Sequence, residues 1–293
     1  MKAKCALIGT GLMGIPMAKR LLGHGYELWV WNRTNQKCQP LIELGAKHSE
    51  SPFAATEQAD IVITMLSHAA AVGEVLQQGL LAALKPQSIF IDMSSIPPHS
   101  AKLHAKWCHE KGALALDAPV SGGVVGAEQG TLAIMAGGDR MAFEQALPVF
   151  SVLGRATYVG EAGAGSLAKL ANQMIVGMSI AAVAEAMTLM AQAGADPRAV
   201  REAIRGGFAE SRILELHGQR MIDRTFTPGA HATTQLKDLN TAVAVAREAM
   251  IDLPLLNQSR DLFQSMVDNG FADLDHSALI LELERLNQIK RPE

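Results

Sequence analysis

A chain that runs apolar, breaks on three glycines at a fixed spacing and then turns apolar again has few folds open to it. Here Cys5-Ala6-Leu7-Ile8 breaks at Gly9-Thr10-Gly11-Leu12-Met13-Gly14, and a helical pattern follows to Gly25. Tyr26-Glu27-Leu28-Trp29-Val30-Trp31 then returns to strand character before stopping at Asn32-Arg33-Thr34. The spacing predicts a strand, a tight turn, a helix and a second strand beside the first. Each glycine has a separate duty: Gly9 for the turn, Gly11 so that backbone can approach a pyrophosphate, Gly14 so that the helix can pack closely on the strand. The helix start offers unpaired N–H groups to phosphates. Gly9, Thr10, Gly11, Leu12, Met13 and Gly14 are therefore expected to cradle a dinucleotide.

The end of the second strand chooses between dinucleotides. An acidic residue there would hold the ribose 2′-hydroxyl of NAD, whereas this chain has neutral Asn32, then Arg33 and Thr34. The guanidinium fork of Arg33 suits a 2′-phosphate. The expected cofactor is NADP, with NADPH preferred over NADH.

At 293 residues the chain is long for one core and comfortable for two domains, and its 48% hydrophobic residues are ample for burial. A net charge of −3 with dispersed basic residues argues against a nucleic-acid partner. Three cysteines, Cys5, Cys38 and Cys108, make no disulfide framework. The first strand begins almost at Met1, leaving no room for a signal or transit peptide, so a cytoplasmic location is expected.

Up to about Gly160, apolar runs such as Ile61-Val62-Ile63 and Ile89-Phe90-Ile91 alternate with helical stretches such as Pro98 to Lys111. This βαβ pattern implies a mostly parallel sheet covered by helices. After Gly165 the strand runs disappear. Helical spacing takes over in blocks near Ser166 to Ala193, Pro197 to Gly206, Ser211 to Asp223, Thr233 to Met250, Leu255 to Asn269 and Ser277 to Ile289. The expected fold is an α/β Rossmann-type nucleotide-binding domain over residues 1–162, followed by an all-α C-terminal domain over 163–293 that serves substrate binding and dimerisation. Met174 to Ala193 is almost uniformly apolar, long enough to raise a transmembrane reading. Glu185 near its middle, its small residues Gly177, Ala181, Ala182 and Ala184, and the lack of a second such segment favour a central helix buried by its own domain, by the nucleotide domain and by a second subunit. No membrane partner is expected.

Two further segments carry chemistry. In Asp117-Ala118-Pro119-Val120-Ser121-Gly122-Gly123, an apolar strand ends in a loop too rich in glycine for simple connection. Its N–H groups and the Ser121 hydroxyl can converge on a carboxylate; a mobile turn is the alternative. In the second segment, Lys169, Asn172 and Gln173 sit at i, i+3 and i+4, sharing one helix face. A lysine beside a nicotinamide can protonate a carbonyl oxygen as hydride arrives. A snorkelling lysine with an exposed head is the alternative.

Taken together these residues resemble the β-hydroxyacid dehydrogenase family, which includes 3-hydroxyisobutyrate dehydrogenase and tartronate semialdehyde reductase. The resemblance runs through Gly9 to Ala18, Met65-Leu66-Ser67, Asp92-Met93-Ser94-Ser95, Asp117 to Gly130, Gly163 to Gln173 and Lys237-Asp238-Leu239. It implies that Lys169 is catalytic, that Ser121, Gly122, Gly123 and Asn172 bind substrate, and that Met65, Leu66, Ser95, Lys237 and Asp238 border the cofactor. Ser67 stands where the family commonly has proline. The segments Gly206 to Arg212, Arg224-Thr225-Phe226 and Asp275-His276-Ser277-Ala278 look more like the tartronate semialdehyde reductases, so the implied reaction is NADPH-dependent reduction of tartronate semialdehyde to D-glycerate. A 3-hydroxyisobutyrate dehydrogenase, a succinate semialdehyde reductase and a non-catalytic NADP-binding interaction module are the alternatives. The implied partners are a small aldehyde acid and a second copy of the chain, as a homodimer or homotetramer.

His104 and Cys108 are spaced i, i+4 on a helix, but no further ligands are spaced to complete a tetrahedral site, so no metal is expected. His99 to His109 reads as a polar helix face. Neither G-x-S-x-G nor H-E-x-x-H occurs, which leaves hydrolase readings without support.

Overall fold

The computed structural model describes residues 2–289 and divides into two compact units, Met1–Lys169 and Leu170–Glu293. In the first unit nine strands form one sheet: β1 (Cys5–Ile8), β2 (Leu28–Trp31), β3 (Lys47–His48), β4 (Ile61–Thr64), β5 (Ile89–Asp92), β6 (Leu114–Asp117), β7 (Val120–Ser121), β8 (Leu132–Gly138) and β9 (Gly154–Gly160). The order is β3-β2-β1-β4-β5-β6-β8-β7, with β9 paired to β8 off this path. From β3 to β6 every pairing is parallel; β8 then runs antiparallel to both β6 and β7. The order reverses at β1, where chain direction sends β2 to one side and β4 to the other. That switch point opens a crevice at the carboxyl ends of the strands, directly at the glycine turn.

The central strands are buried on both faces because helices cover both. Along β1, Cys5 and Leu7 enter one apolar cluster with Met17 and Leu21 of the Gly14–Gly23 helix. Ala6 and Ile8 enter the cluster on the other face, with Val72, Leu76 and Phe90. Unbroken apolar runs such as Ile61-Val62-Ile63 are what that double burial requires.

In the second unit the helices are Pro197–Ile204, Arg212–Asp223, Ala232–Glu248, Pro254–Met266 and Leu279–Leu286, packed with the greater part of the Ala164–Gln192 helix, which begins in the first unit. Phe263, Met266, Leu239 and Met221 form its fully buried centre. A single bridge, His231 to Asp275, is the isolated β-pairing among the described residues.

One expectation is met only in part by a single copy of the chain, and one needs correction. The Ala164–Gln192 helix is long and apolar enough to cross a membrane by length and composition, yet within this chain only 33% of its most apolar window is buried, and Ile175, Glu185 and Leu189 are exposed. Its uniform apolarity gave no indication of which side its own unit covers, since an all-round pattern has no periodicity to read. His104, read as part of a polar face, points inward: it is buried beside Trp107, and burial pushes its pKa down to about 4.

Candidate active site

The glycine turn is tight enough to exclude side chains at two of its three glycines. Gly9 has φ +107, and a Cβ there would lie 2.3 Å from Met65 O. A Cβ on Gly14 would lie 2.0 Å from Gly9 O, so the helix sits directly on the turn. Gly11 differs: a Cβ there would meet nothing within 4 Å. The backbone at Gly11 thus faces open space at the helix start, and Leu12 beside it is exposed, which fits an approaching pyrophosphate. Thr10 is buried, and Met13 leads into the helix.

Asn32, Arg33 and Thr34 follow β2 at the rim of this turn. Asn32 is already engaged: its Oδ1 accepts the Thr10 N–H at 3.1 Å and its Nδ2 donates to Thr34 O at 3.0 Å. It ties the glycine turn to the end of β2. Arg33 and Thr34 are exposed. The fit to a dinucleotide is good, with a cradle of backbone N–H groups, no acid at the ribose position and an accessible guanidinium next to it.

Met65 and Leu66 follow β4, and Ser95 follows β5, also at the carboxyl edge of the sheet. A small buried network braces these two loops. Asp92 Oδ1 accepts the Thr64 hydroxyl and the Ser94 N–H, each at 2.9 Å, while Ser94 Oγ accepts the Leu66 N–H at 2.9 Å. Burial pushes the Asp92 carboxyl up to about 6, and the charge of Asp117 adds to that against the bonds from Ser94 and Thr64. Asp92 entered the sequence reading only as part of a motif. The signal that could have singled it out is a carboxylate closing an otherwise apolar strand, Ile89-Phe90-Ile91-Asp92.

The segment expected to hold a carboxylate has regular local structure. Val120–Ser121 pairs with β8, Gly122 (φ +133) and Gly123 (φ +63) make the turn, and a helix runs Gly123–Gln129. Ser121 is half-buried, and Gly122 and Gly123 are exposed. Lys169 is brought to this segment: its Nζ donates to Val120 O at 2.7 Å. Val120 O is the backbone atom immediately before Ser121, so the ammonium, the serine hydroxyl and the glycine N–H groups belong to one corner of the first unit.

In the second unit, Asn172 Nδ2 donates to Gln173 Oε1 at 2.8 Å, and Gln173 Nε2 donates to Asp238 Oδ2 at 2.8 Å. Gln235 Nε2 donates to the Gln173 carbonyl at 2.9 Å, and a Cβ on Gly177 would lie 2.8 Å from that same nitrogen, so the two helices touch there. Lys237 Nζ stands 3.2 Å from Asp238 Oδ1. Asn172, Gln173, Lys237 and Asp238 are thus part of one polar chain linking two helices of the second unit.

Metal ligation finds little in these arrangements. Burial pushes the Cys108 thiol up to about 12, with Asp92 and Asp139 adding to it, which leaves no thiolate to pair with His104. His217, Asp275 and His276 bring ligand atoms within 4.8 Å of one another. Asp275, however, already accepts from the Arg220 guanidinium, the Gly229 and Ala230 N–H groups, and both the N–H and hydroxyl of Ser277. Its lone pairs are spent on these donors, one of them a cation.

A switch-point glycine cradle, a basic rim and a lysine held at a polar loop define a nicotinamide-dependent oxidoreductase. Comparison with known proteins agrees. A family model described as the NAD binding domain of 6-phosphogluconate dehydrogenase matches residues 4–161. One described as the NAD-binding of NADP-dependent 3-hydroxyisobutyrate dehydrogenase matches residues 163–283. The chain is 44% identical over 284 residues to the 2-hydroxy-3-oxopropionate reductase of Escherichia coli strain K12, covering 96% of this chain and 97% of that one. It is 34% identical to an NAD-dependent L-serine dehydrogenase of Pseudomonas aeruginosa, covering 94% and 95%. Among solved structures, a 3-hydroxyisobutyrate dehydrogenase of Mycobacterium tuberculosis with L-serine superposes with a TM-score of 0.90 at 31% identity, covering 97% of this chain and 99% of that one. The chain belongs to the β-hydroxyacid dehydrogenase family, whose members are oxidoreductases acting on hydroxyl groups.

Proposed function

We propose that this enzyme reduces tartronate semialdehyde to D-glycerate with NADPH. The observation that carries the reading is the Lys169 ammonium held on Val120 O at 2.7 Å, next to Ser121, Gly122 and Gly123. The substrate carboxylate takes the loop N–H groups and the Ser121 hydroxyl, which neutralise it without a full opposing charge. Lys169 Nζ then meets the aldehyde oxygen. Asn172 follows Lys169 by one turn of the same helix and orients the substrate. A nicotinamide cofactor, when bound, would supply hydride to the carbonyl carbon. As charge builds on the oxygen, Lys169 stabilises it and delivers a proton, leaving an alcohol and a neutral amine. Gly9 to Gly14 would hold the pyrophosphate of the cofactor, and Met65, Leu66 and Ser95 would line its path.

NADP over NAD rests on Arg33, exposed beside a ribose position that carries no acid. Tartronate semialdehyde rests on the C-terminal segments and on the 44% identity to a reductase of that substrate. The exposed apolar positions Ile175 and Leu189 on the long helix support a homo-oligomer. A cytoplasmic location goes with the three free cysteines.

The test is a kinetic panel of tartronate, methylmalonate and succinate semialdehydes, each with NADPH and NADH. Tartronate semialdehyde with NADPH is expected to give the highest kcat/KM, because a pocket that hydrogen-bonds the substrate's extra hydroxyl penalises analogues lacking it. A higher kcat/KM for methylmalonate semialdehyde refutes the substrate and points to 3-hydroxyisobutyrate dehydrogenase. Equal kcat/KM for the two cofactors refutes the cofactor choice.

A further inference from the structure

Two adjacent strands of the first unit each end on an aspartate, and the two are register partners, Asp92 on β5 beside Asp117 on β6. A buried carboxylate is costly unless its oxygens are answered. For Asp117 the answer is the start of a helix. Its Oδ1 accepts the Gly163 N–H at 2.8 Å and its Oδ2 accepts the Ser166 N–H at 2.6 Å. The carboxylate therefore straddles the first turn of the Ala164–Gln192 helix and takes up backbone donors that a helix start leaves unpaired.

The seat admits no slack. A Cβ on Gly165 would lie 2.1 Å from Asp117 O and 2.4 Å from Met135 O, and a Cβ on Gly137 would lie 2.6 Å from Gly165 N. Backbone of the helix start thus lies directly on backbone of the sheet, with Asp117 as its polar clasp. Lys169 stands three residues beyond Ser166 on that helix, and Val120, which receives its ammonium, stands three residues beyond Asp117. One strand end grips the helix through a side chain and the lysine tip through a carbonyl.

We propose that Asp117 is the positioning residue for Lys169, setting the height and rotation of the first helical turn so that Nζ is delivered beside Ser121. This rests on Lys169 being the proton donor. Asp117 takes no part in proton transfer, since both oxygens are committed to N–H donors. The carboxylate is required as such: two N–H groups converge on two acceptor oxygens, whereas an amide offers one oxygen and turns an NH2 toward the other donor.

The experiment is a double-mutant cycle of Asp117→Asn and Lys169→Ala, run with the best aldehyde acid of the three semialdehydes above. NADPH binding is read by fluorescence, and the primary isotope effect by reduced cofactor deuterated at C4. Asp117→Asn is expected to keep NADPH affinity and lose about 10²-fold in kcat, the scale of an ångström's misplacement. Its isotope effect should rise as the chemical step becomes limiting. In the Lys169→Ala background the same change should cost little more, because two residues acting as a unit do not add. Losses that multiply in the double variant overturn the proposal. So does a fall in Vmax that follows only the active fraction with the isotope effect unchanged, which is what a merely structural role gives. If Asp117→Asn is insoluble, Asp117→Ser, which keeps one acceptor oxygen and adds no bulk, enters the same cycle. Full turnover in Lys169→Ala overturns the proton-donor reading and this role with it. Loss in Lys169→Ala with full turnover in Asp117→Asn overturns the positioning role alone.

Discussion

Replacing Asp92 by asparagine should make the first unit more stable relative to the parent as pH rises, by an amount the structure sets. Asp92 is 3% exposed; Oδ1 receives the Thr64 hydroxyl and the Ser94 N–H, and Oδ2 has no hydrogen-bond partner among the described residues. Burial first, and then the charge of Asp117, push its carboxyl from 3.8 to about 6. A carboxyl whose pKa is raised on folding binds its proton more tightly in the native state. Its contribution is therefore most favourable below the unfolded value and is lost as pH rises through about 6. The gap between 3.8 and about 6 amounts to about 3 kcal/mol. Roughly 2 kcal/mol of that develops between about pH 4.5 and 7.5, because the unfolded carboxyl is already mostly ionised at the lower value. Asparagine has the same shape and no charge to bury, and its oxygen can take both donors. Urea titrations at the two pH values, followed by tryptophan fluorescence, report on this unit alone, since Trp29, Trp31 and Trp107 all lie within it. The stability of Asp92→Asn relative to the parent should rise by about 2 kcal/mol from the lower pH to the higher. A difference that stays constant with pH, or moves the other way, refutes the reasoning.

Lys169→Ala should bind NADPH normally while kcat falls by roughly 10² or more, and in the parent the oxidation direction should speed up toward alkaline pH, since the amine must be neutral to accept a proton; steady-state kinetics against pH check both. Arg33→Ala should weaken NADPH by about 1.5–3 kcal/mol while leaving NADH nearly unchanged, measured as the ratio of the two dissociation constants. At Asp275, burial works against ionisation, but the neighbouring His217, the charge of His276 and the Ser277 bonds outweigh it and hold the carboxyl below its ordinary range. Its stabilisation is thus present above the unfolded value and lost as pH falls toward and below it. Asp275→Asn should cost the second unit about 1.5–3 kcal/mol at neutral pH through the weakened hydrogen bonds from Arg220 and Ser277, with the gap closing in acid, as read by circular dichroism melts.

Strand, turn and helix at the N-terminus were legible because each leaves a local mark. Three glycines, two apolar runs and one helical spacing are consequences of backbone geometry within about thirty residues. The helical second half was legible for the same reason: expected blocks such as Ser211 to Asp223 and Pro197 to Gly206 correspond to Arg212–Asp223 and Pro197–Ile204. Less visible were β7, β8 and β9, where the sheet turns antiparallel and then parallel again. Their alternating or glycine-broken sequences carry no sign of which neighbour they pair with, and pairing direction is a long-range choice.

At the candidate site the division is similar. Residue types and spacing alone determined that the chain carries a tight glycine turn between strand and helix at Gly9 to Gly14, lacks an acid at residue 32, and places Lys169, Asn172 and Gln173 on one helix face. These follow from covalent order and the periods of helix and strand. Tertiary structure alone decided what those groups touch. It turned Asn32 inward to Thr10, set Lys169 on Val120 O, and brought the strand-ending carboxylates Asp92 and Asp117 side by side, one bracing the Leu66 loop through Ser94 and the other clasping the helix of Lys169. Asp117 and Ser166 are 49 residues apart in the chain. Their meeting depends on sheet order and on a glycine-lined approach of helix to strand, and burial, which raises the Asp92 carboxyl, exists only once the chain has folded around it.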